Sequence, residues 1–196
     1  MKHIPALIIA ERLVDALRPW CDRIEIGGSI RRGKPEVKDI EIVAIPRSEQ
    51  IQTDLFGATT LIYPVQSFLH DREKSGEWVN VKGREKYFQY ILPEGINLDL
   101  FFVTPPAQWG VVYVLRTGPT EFNHWLVTSR QHGGCLPAFA SMSGAGIYDN
   151  GRLVNMPEEI SFLNFLGLGW IEPKDRIPHW QECPIAQFRS PPMPSR

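Results

Sequence analysis

Two groups of residues in the first half of the chain could carry out chemistry on phosphate. Gly28-Ser29 is followed, after nine residues, by Asp39-Ile40-Glu41. The backbone N–H groups of a glycine-rich turn, together with a serine hydroxyl, can cradle phosphate oxygens. Two adjacent carboxylates can bind the magnesium ion that these phosphates share. An isolated acid pair beside a Gly-Gly turn would be ordinary, but this spacing together with Arg31-Arg32-Gly33 favours a phosphate and metal site.

Such a site needs positive charge and a third acid. Arg32 and Lys38 lie between the glycines and the two carboxylates and can supply the charge. Asp99 lies in an otherwise apolar strand, where a buried carboxylate needs a partner. With two metal ions, at least one further acid must bind a metal or accept the proton of an attacking hydroxyl. The strand pattern alone equally allows Asp99 to be a salt-bridged residue at a strand edge.

Hydrophobic periodicity predicts the elements that position these residues. Apolar side chains at helical spacing predict a helix at residues 5–19, and residues 23–26 resemble a short strand. Residues 39–45 alternate, so Asp39 and Glu41 project from one face of a strand while the intervening isoleucines enter the core. The glycine turn therefore lies between two strands, and the acids lie at the start of the second.

The rest of the chain predicts a mixture of strands and helices. The strands of an antiparallel meander, which packs helices on one face, are expected at residues 78–81, 86–92 and 97–103. The other predicted elements are helices at 61–72, 107–115, 120–131 and 157–166, and a hairpin turning at 149–151. The fold class is therefore α+β.

Composition limits the setting in which the protein works. A chain of 196 residues, 43% hydrophobic and 22% charged, is typical of a globular protein, and no apolar run has the length of a membrane span. The first residues do not resemble a secretory signal. Cys21, Cys135 and Cys183 are odd in number and lack a CxxC pair, so neither a disulfide framework nor a zinc site is indicated. We expect an intracellular monomer, cytoplasmic or nucleoid-associated.

Five motifs in one order are far more specific than any one of them. They are Gly28-Ser29-Ile30-Arg31-Arg32-Gly33, Asp39-x-Glu41, Leu98-Asp99-Leu100, Thr117-Gly118-x-x-x-Phe122-Asn123 and Glu172-Pro173-Lys174-Asp175-Arg176. In this order they resemble the family X DNA polymerases, the polymerase beta group. The resemblance implies a minimal form: a catalytic palm lobe with an antiparallel or mixed sheet at residues 1–117 and a small α/β nucleotide-binding lobe at 118–176. The many prolines of residues 177–196 indicate a proline-rich tail.

The resemblance also implies a reaction and a set of site residues. Asp39, Glu41 and Asp99 are expected to bind two Mg²⁺ ions, for which Mn²⁺ can substitute, and to support transfer of a nucleotide from a nucleoside triphosphate to a DNA 3′ hydroxyl. The resemblance further implies residues that bind the substrates: Gly28, Ser29, Arg32, Lys38, Gly118 and Asn123 for the nucleotide, and Lys82 for primer-template or gapped DNA. Asn123 is expected to reach the minor-groove edge of the incoming base.

Three functions remain open at this point. The main hypothesis is a gap-filling DNA polymerase. Because the net charge is only −1, its affinity for DNA must come from a local basic surface, from the metal site or from a protein partner. The second hypothesis is nucleotidyl transfer to a small molecule or a protein. The third is a nucleotide-binding module with a degenerate site, because Glu41 stands where the family has an aspartate.

Overall fold

The structure is a computed structural model that describes residues 1–53, 57–104 and 108–177. Over these ranges, no helix combines the length and the apolar character needed to cross a membrane. The predicted tail lies, from residue 178 onward, outside the described residues. The contacts divide the chain into two compact units: Met1–Ile30 with Lys34–Thr104, and Arg31–Gly33 with the chain after Thr104.

The first unit contains a sheet, its covering helices and a separate hairpin. In chain order the elements are α1 (His3–Leu17), β1 (Cys21–Ile26), α2 (Gly28–Arg31), β2 (Asp39–Pro46), β3 (Glu49–Gln52), β4 (Thr59–Ile62), α3 (Val65–Lys74), β5 (Val79–Arg84), β6 (Tyr87–Ile91) and β7 (Asn97–Phe102). The last residue of α2, Arg31, groups with the second unit. A short 3-10 turn, Arg18–Trp20, joins α1 to β1.

The central sheet is mixed, with strand order β1-β2-β7-β6-β5. Strands β2 and β7 pair in parallel, whereas β1 pairs with β2, β6 with β7 and β5 with β6 in the antiparallel sense. The predicted antiparallel meander is therefore confirmed. Ile40 and Ile42 are 0% exposed, and they lie in one buried cluster with Leu13 of α1 and Leu69 of α3. The alternation in β2 thus directs the isoleucines toward the helices and the acids to the opposite face.

One predicted helix begins too early. The chain forms a hairpin of β3 and β4 in which every residue of both strands is exposed, and the helix begins only at Val65. Pro64 precedes the first helical residue, a position that proline tolerates because the first turn of a helix needs no N–H from it. The prediction of a helix from residue 61 was therefore wrong at its start.

The second unit is a smaller α/β assembly, as predicted. Its elements are α4 (Trp109–Leu115), α5 (Thr120–Val127), β8 (Ala140–Ser143), β9 (Gly146–Asp149), β10 (Arg152–Val154) and α6 (Glu159–Phe165). The three strands form an antiparallel sheet in the order β10-β9-β8. Phe122, Leu126 and Phe162, each at most 1% exposed, lie in the core of this unit.

The division between the units differs from the predicted boundary at residue 117. It follows Thr104, so α4 groups with the second unit. Val111 and Val114 of α4 are 0% exposed and belong to the same buried cluster as Leu163 of α6. The backbone of Gly110 also donates a hydrogen bond to the carbonyl of Met156, at 2.9 Å. The apolar face of α4 is thus buried in the core of the second unit, which the apolar pattern alone could not specify.

Candidate active site

The three predicted acids lie on one face of the parallel pair β2 and β7. Glu41 is directly opposite Asp99 in the register of the two strands, and Asp39 is opposite Asn97. Neighbouring strands are about 4.8 Å apart, and residues two apart on a strand share a face. All three acids are partly exposed. The β2–β7 pairing therefore brings together residues that are 58 positions apart in the chain, from Glu41 to Asp99.

The carboxylate of Asp99 accepts two hydrogen bonds on one oxygen. The hydroxyl of Tyr87 and the side-chain amide of Gln89 both donate to Oδ1, each at 2.8 Å. Both donors lie on β6, where Gln89 is opposite Asp99. Sequence reasoning missed both residues, although their spacing of two in a strand of the predicted meander would place them on the face of the acid.

The carboxylate of Glu41 lies against the backbone of Gly28. A Cβ atom at Gly28 would be 1.9 Å from Glu41 Oε2, and Gly28 has a φ of +60°. Gly28 follows β1, so Glu41 is directed toward the β1 side of β2, whereas the donors to Asp99 lie on the other side, in β6. Within the described ranges, no group of three His, Cys, Asp or Glu side chains is arranged to hold a metal ion. The fold thus places the acids on one face without converging them.

The residues present nevertheless fit a magnesium ion and a phosphate in their chemistry. Carboxylate oxygens are ligands that Mg²⁺ prefers. The hydroxyl oxygen of Ser29 is buried and has no hydrogen-bond partner among the described residues. Such a buried hydroxyl needs an explanation, and a phosphate oxygen would satisfy it. Gly28 and Ser29 begin the short helix α2 after β1, and the Glu41 carboxylate lies against Gly28.

Three predicted nucleotide-binding residues surround the turn between α4 and α5 in the second unit. Arg32 donates a hydrogen bond to the carbonyl of Thr117. The side-chain amide of Asn123 donates to the carbonyls of Leu115, at 2.6 Å, and Gly118, at 2.8 Å. The Oδ1 atom of Asn123 is buried without a partner among the described residues, and a Cβ at Gly118 would be 2.3 Å from it. Contact of Asn123 with a base stays a prediction, because both of its N–H groups already bond to this turn.

The two predicted lysines differ in their surroundings. Lys38 is exposed and immediately precedes Asp39. Lys82 is opposite Gln89 in the β5–β6 register, and its ammonium lies 5.8 Å from the ring centroid of Tyr87. Glu41, Asp99, Gln89 and Lys82 therefore form a row across four adjacent strands. The open face of the sheet combines negative charge on β2 and β7 with a cation on β5.

Comparison with known proteins supports the fold. No protein-family model and no curated protein matches the chain. A solved structure that it resembles is Leishmania infantum polymerase beta in a ternary P/T complex, at a TM-score of 0.68 and 14% identity. The match covers 91% of this chain and 77% of that one. At this identity the likeness concerns the fold alone: the chain has a mixed α+β fold similar to that of this polymerase beta.

The close approach of Glu41 to Gly28 predicts a stability effect. In Gly28→Ala, the left-handed backbone costs about 1–2 kcal/mol, and the Glu41 side chain, whose Cβ would lie 3.1 Å from the new methyl group, must also shift, which adds a smaller cost. Gly95→Ala is the matched control, because Gly95 has a φ of +73° and a Cβ there would meet nothing within 4 Å. Urea unfolding should show the larger loss for Gly28→Ala, and Glu41→Asp in the same chain should recover part of it. Equal losses at the two glycines would contradict the contact.

Proposed function

We propose that the protein is a nucleotidyltransferase that joins a nucleotide from a nucleoside triphosphate to a DNA 3′ hydroxyl, in gap-filling repair synthesis. The observation that carries the proposal is the register of β2 and β7, which sets Glu41 beside Asp99 with Asp39 on the same face. The polymerase beta-like fold and the unpartnered hydroxyl of Ser29, the residue after the glycine that Glu41 contacts, also support it.

The three acids would hold two Mg²⁺ ions. When bound, the ions would neutralise the charge of the phosphates and lower the pKa of the attacking hydroxyl. Asp39, Glu41 and Asp99 provide the negative charge and the oxygen ligands for this, and Mn²⁺ is expected to substitute. The new bond joins the acceptor oxygen to the α-phosphorus, the bond to pyrophosphate breaks, and the hydroxyl proton passes to a base, a role open to the Asp99 carboxylate.

The triphosphate would be bound by residues after β1 and around the α4–α5 turn. Ser29 and Arg32 would donate hydrogen bonds to oxygens of the β- and γ-phosphates, which leave together as pyrophosphate. Gly28 would allow close approach of the backbone, and Lys38 would add positive charge. Gly118 and Asn123 would lie at the base. Ser29 and Arg32 are three positions apart in the chain, so one short segment would supply the hydroxyl and the guanidinium.

The identity of the acceptor is the part of the proposal for which a specific alternative exists. Lys82 would contact the DNA backbone on the open face of the sheet. The net charge of −1, however, favours few phosphate contacts, so a protein partner would add DNA affinity. The same charge favours the second candidate, transfer to a small molecule or a protein.

One assay separates these functions. The purified chain is incubated with labelled primer on a gapped template, Mg²⁺ or Mn²⁺, and each nucleoside triphosphate singly. Extension by the complementary nucleotide alone is the expected result. Extension without regard to template would contradict the gap-filling role but keep the transferase. Absence of extension, with no release of pyrophosphate in the presence of candidate acceptors, would contradict nucleotidyl transfer itself.

Arg32→Ala should weaken the triphosphate interaction. A hydrogen bond to a charged group contributes about 1.5–3 kcal/mol, so the KM for the triphosphate should rise roughly 10- to 100-fold. The KM of Arg32→Lys should lie between those of wild type and Arg32→Ala, because a lysine cannot pair bidentately with a phosphate. Ser29→Ala should raise the KM by less than Arg32→Ala. Arg47→Ala is the charge-matched control, since Arg47 is exposed and pairs with Asp22 at 3.4 Å. A KM equal to wild type in Arg32→Ala would exclude the phosphate role.

A further inference from the structure

The side chain of Asp99 is oriented by two hydrogen bonds from its neighbours. Tyr87 and Gln89 donate to the same oxygen, Oδ1, at 2.8 Å each. The ring of Tyr87 is itself stacked on Phe101, with centroids 4.9 Å apart and an interplanar angle of 18°. The hydroxyl is therefore carried by a packed ring, and the carboxylate direction is set by two donors on one strand.

The second oxygen of Asp99 is directed away from these donors. Both donors lie on β6, so Oδ2 is turned from β6. No described residue donates a hydrogen bond to Oδ2. A carboxylate has about four lone-pair positions, and those of Oδ2 are the ones left for a cation or for the proton of a hydroxyl. Glu41, in contrast, lies against Gly28.

We propose that Tyr87 and Gln89 are positioning residues that hold Oδ1 of Asp99 so that Oδ2 is presented to a divalent metal ion. This inference rests on the proposed function. Carboxylates that bind metals are themselves hydrogen-bonded, and loss of such outer partners typically lowers metal affinity roughly 10- to 100-fold.

The test removes each donor while retaining the shape of its side chain. Tyr87→Phe keeps the ring on Phe101, and Gln89→Met keeps the length of the side chain. The matched control is Tyr90→Phe, because Tyr90 is on the same strand and its hydroxyl also donates to a carboxylate, that of Glu73 at 2.9 Å. Tyr90 faces the opposite, buried side of the sheet and is 0% exposed, so its variant reports the loss of a comparable bond away from Asp99.

Mn²⁺ binding to the full chain is measured by the electron paramagnetic resonance signal of the free ion. We expect each single variant to raise the Mn²⁺ dissociation constant severalfold and the double variant to raise it about 10- to 100-fold. Tyr90→Phe should lower the melting temperature but leave Mn²⁺ binding within about twofold of wild type, because no metal ligand is displaced. Nucleotidyl transfer by the double variant should approach the wild-type rate at saturating Mn²⁺.

The outcomes that overturn the proposal differ from those that overturn the function. Wild-type Mn²⁺ affinity in the Tyr87→Phe/Gln89→Met chain, with binding weakened by Asp99→Asn, would refute the positioning role alone. Equal weakening of Mn²⁺ binding by Tyr90→Phe would also refute the positioning role, because the loss of affinity would then result from lower stability of the fold. If wild type binds no Mn²⁺, or if Asp99→Asn leaves binding unchanged, both the positioning role and the proposed metal-dependent function are wrong.

Discussion

Asp99→Asn is expected to lower nucleotidyl transfer roughly 100- to 10,000-fold while the protein remains folded. A bound metal contributes several kcal/mol to stabilising the charge of the transition state, and each 1.36 kcal/mol is a factor of about ten in rate. Asparagine removes the negative charge but keeps an oxygen that can accept from Tyr87 and Gln89, which both donate to Oδ1 in the wild type. The loss should therefore be in turnover and not in folding.

The melting transition provides the second half of this test. Three acids on one face repel each other, so removing one charge should leave the melting temperature unchanged or slightly higher. Asp39→Asn and Glu41→Gln should behave in the same way. Asp22→Asn is the control, because Asp22 is an exposed acid of β1 that pairs with Arg47. Transfer by Asp99→Asn at near the wild-type rate would exclude Asp99 as a ligand.

The strand elements around the site could be predicted because their apolar residues have a clear buried side. Ile40 and Ile42 are 0% exposed, so the alternation in β2 correctly predicted which face carries the acids. The hairpin of β3 and β4 could not be predicted in this way, because all eight of its strand residues are exposed and no periodic apolar face marks it. The assignment of α4 to the second unit depends on its packing with α6, which a local pattern does not contain.

The positions of the three acids in the strands could be predicted from the sequence, but not the directions of their side chains. The alternation placed Asp39 and Glu41 on one face, and the apolar strand pattern singled out Asp99. Whether an acid points toward its neighbour depends on partners from other strands: Gly28 beside Glu41, and the β6 donors beside Asp99. These contacts follow from the strand order, which the sequence-based prediction of a meander left incomplete because it did not include the parallel pairing of β2 with β7.

Sequence reasoning did not connect the members of a largely buried charge network in the second unit. Glu159, 6% exposed, accepts hydrogen bonds from Arg31 at 2.8 and 2.6 Å and from Arg176 at 2.8 Å. Arg31 also donates to the hydroxyl of Thr117 at 2.9 Å and lies over the ring of Tyr113 at 4.0 Å. Arg31 and Arg176 lie in two of the quoted motifs, but the sequence signal for Glu159 was an acid in the first turn of a predicted helix, which is also the pattern of an ordinary exposed helix start.

Glu159→Ala is expected to destabilise the protein by about 3–5 kcal/mol, because it leaves the buried guanidinium of Arg176 and the partly buried one of Arg31 without their shared carboxylate. Arg176→Met should lower the free energy of unfolding by less, since it leaves Arg31 and Glu159 as a pair of opposite charges. The control is Glu121→Ala, an exposed acid in the first turn of α5, which should cost no more than about 1 kcal/mol. The measurement is urea unfolding at neutral pH, and a loss in Glu159→Ala no larger than in Glu121→Ala would contradict the role of the network.

The stability difference between wild type and Glu159→Ala should depend on pH, which provides an independent check. Burial alone would raise the pKa of Glu159, but the hydrogen bonds from Arg31 and the charges of Arg176 and Arg31 outweigh it, and the pKa lies below its ordinary value of 4.5. A carboxylate with a lowered folded-state pKa stabilises the fold above its unfolded-state pKa and loses that contribution as the pH falls through the folded-state value. The stability difference between wild type and Glu159→Ala should therefore be constant near neutral pH and shrink below about 4.5. A difference that persists unchanged into strong acid would show that Glu159 acts through packing and not through its charge.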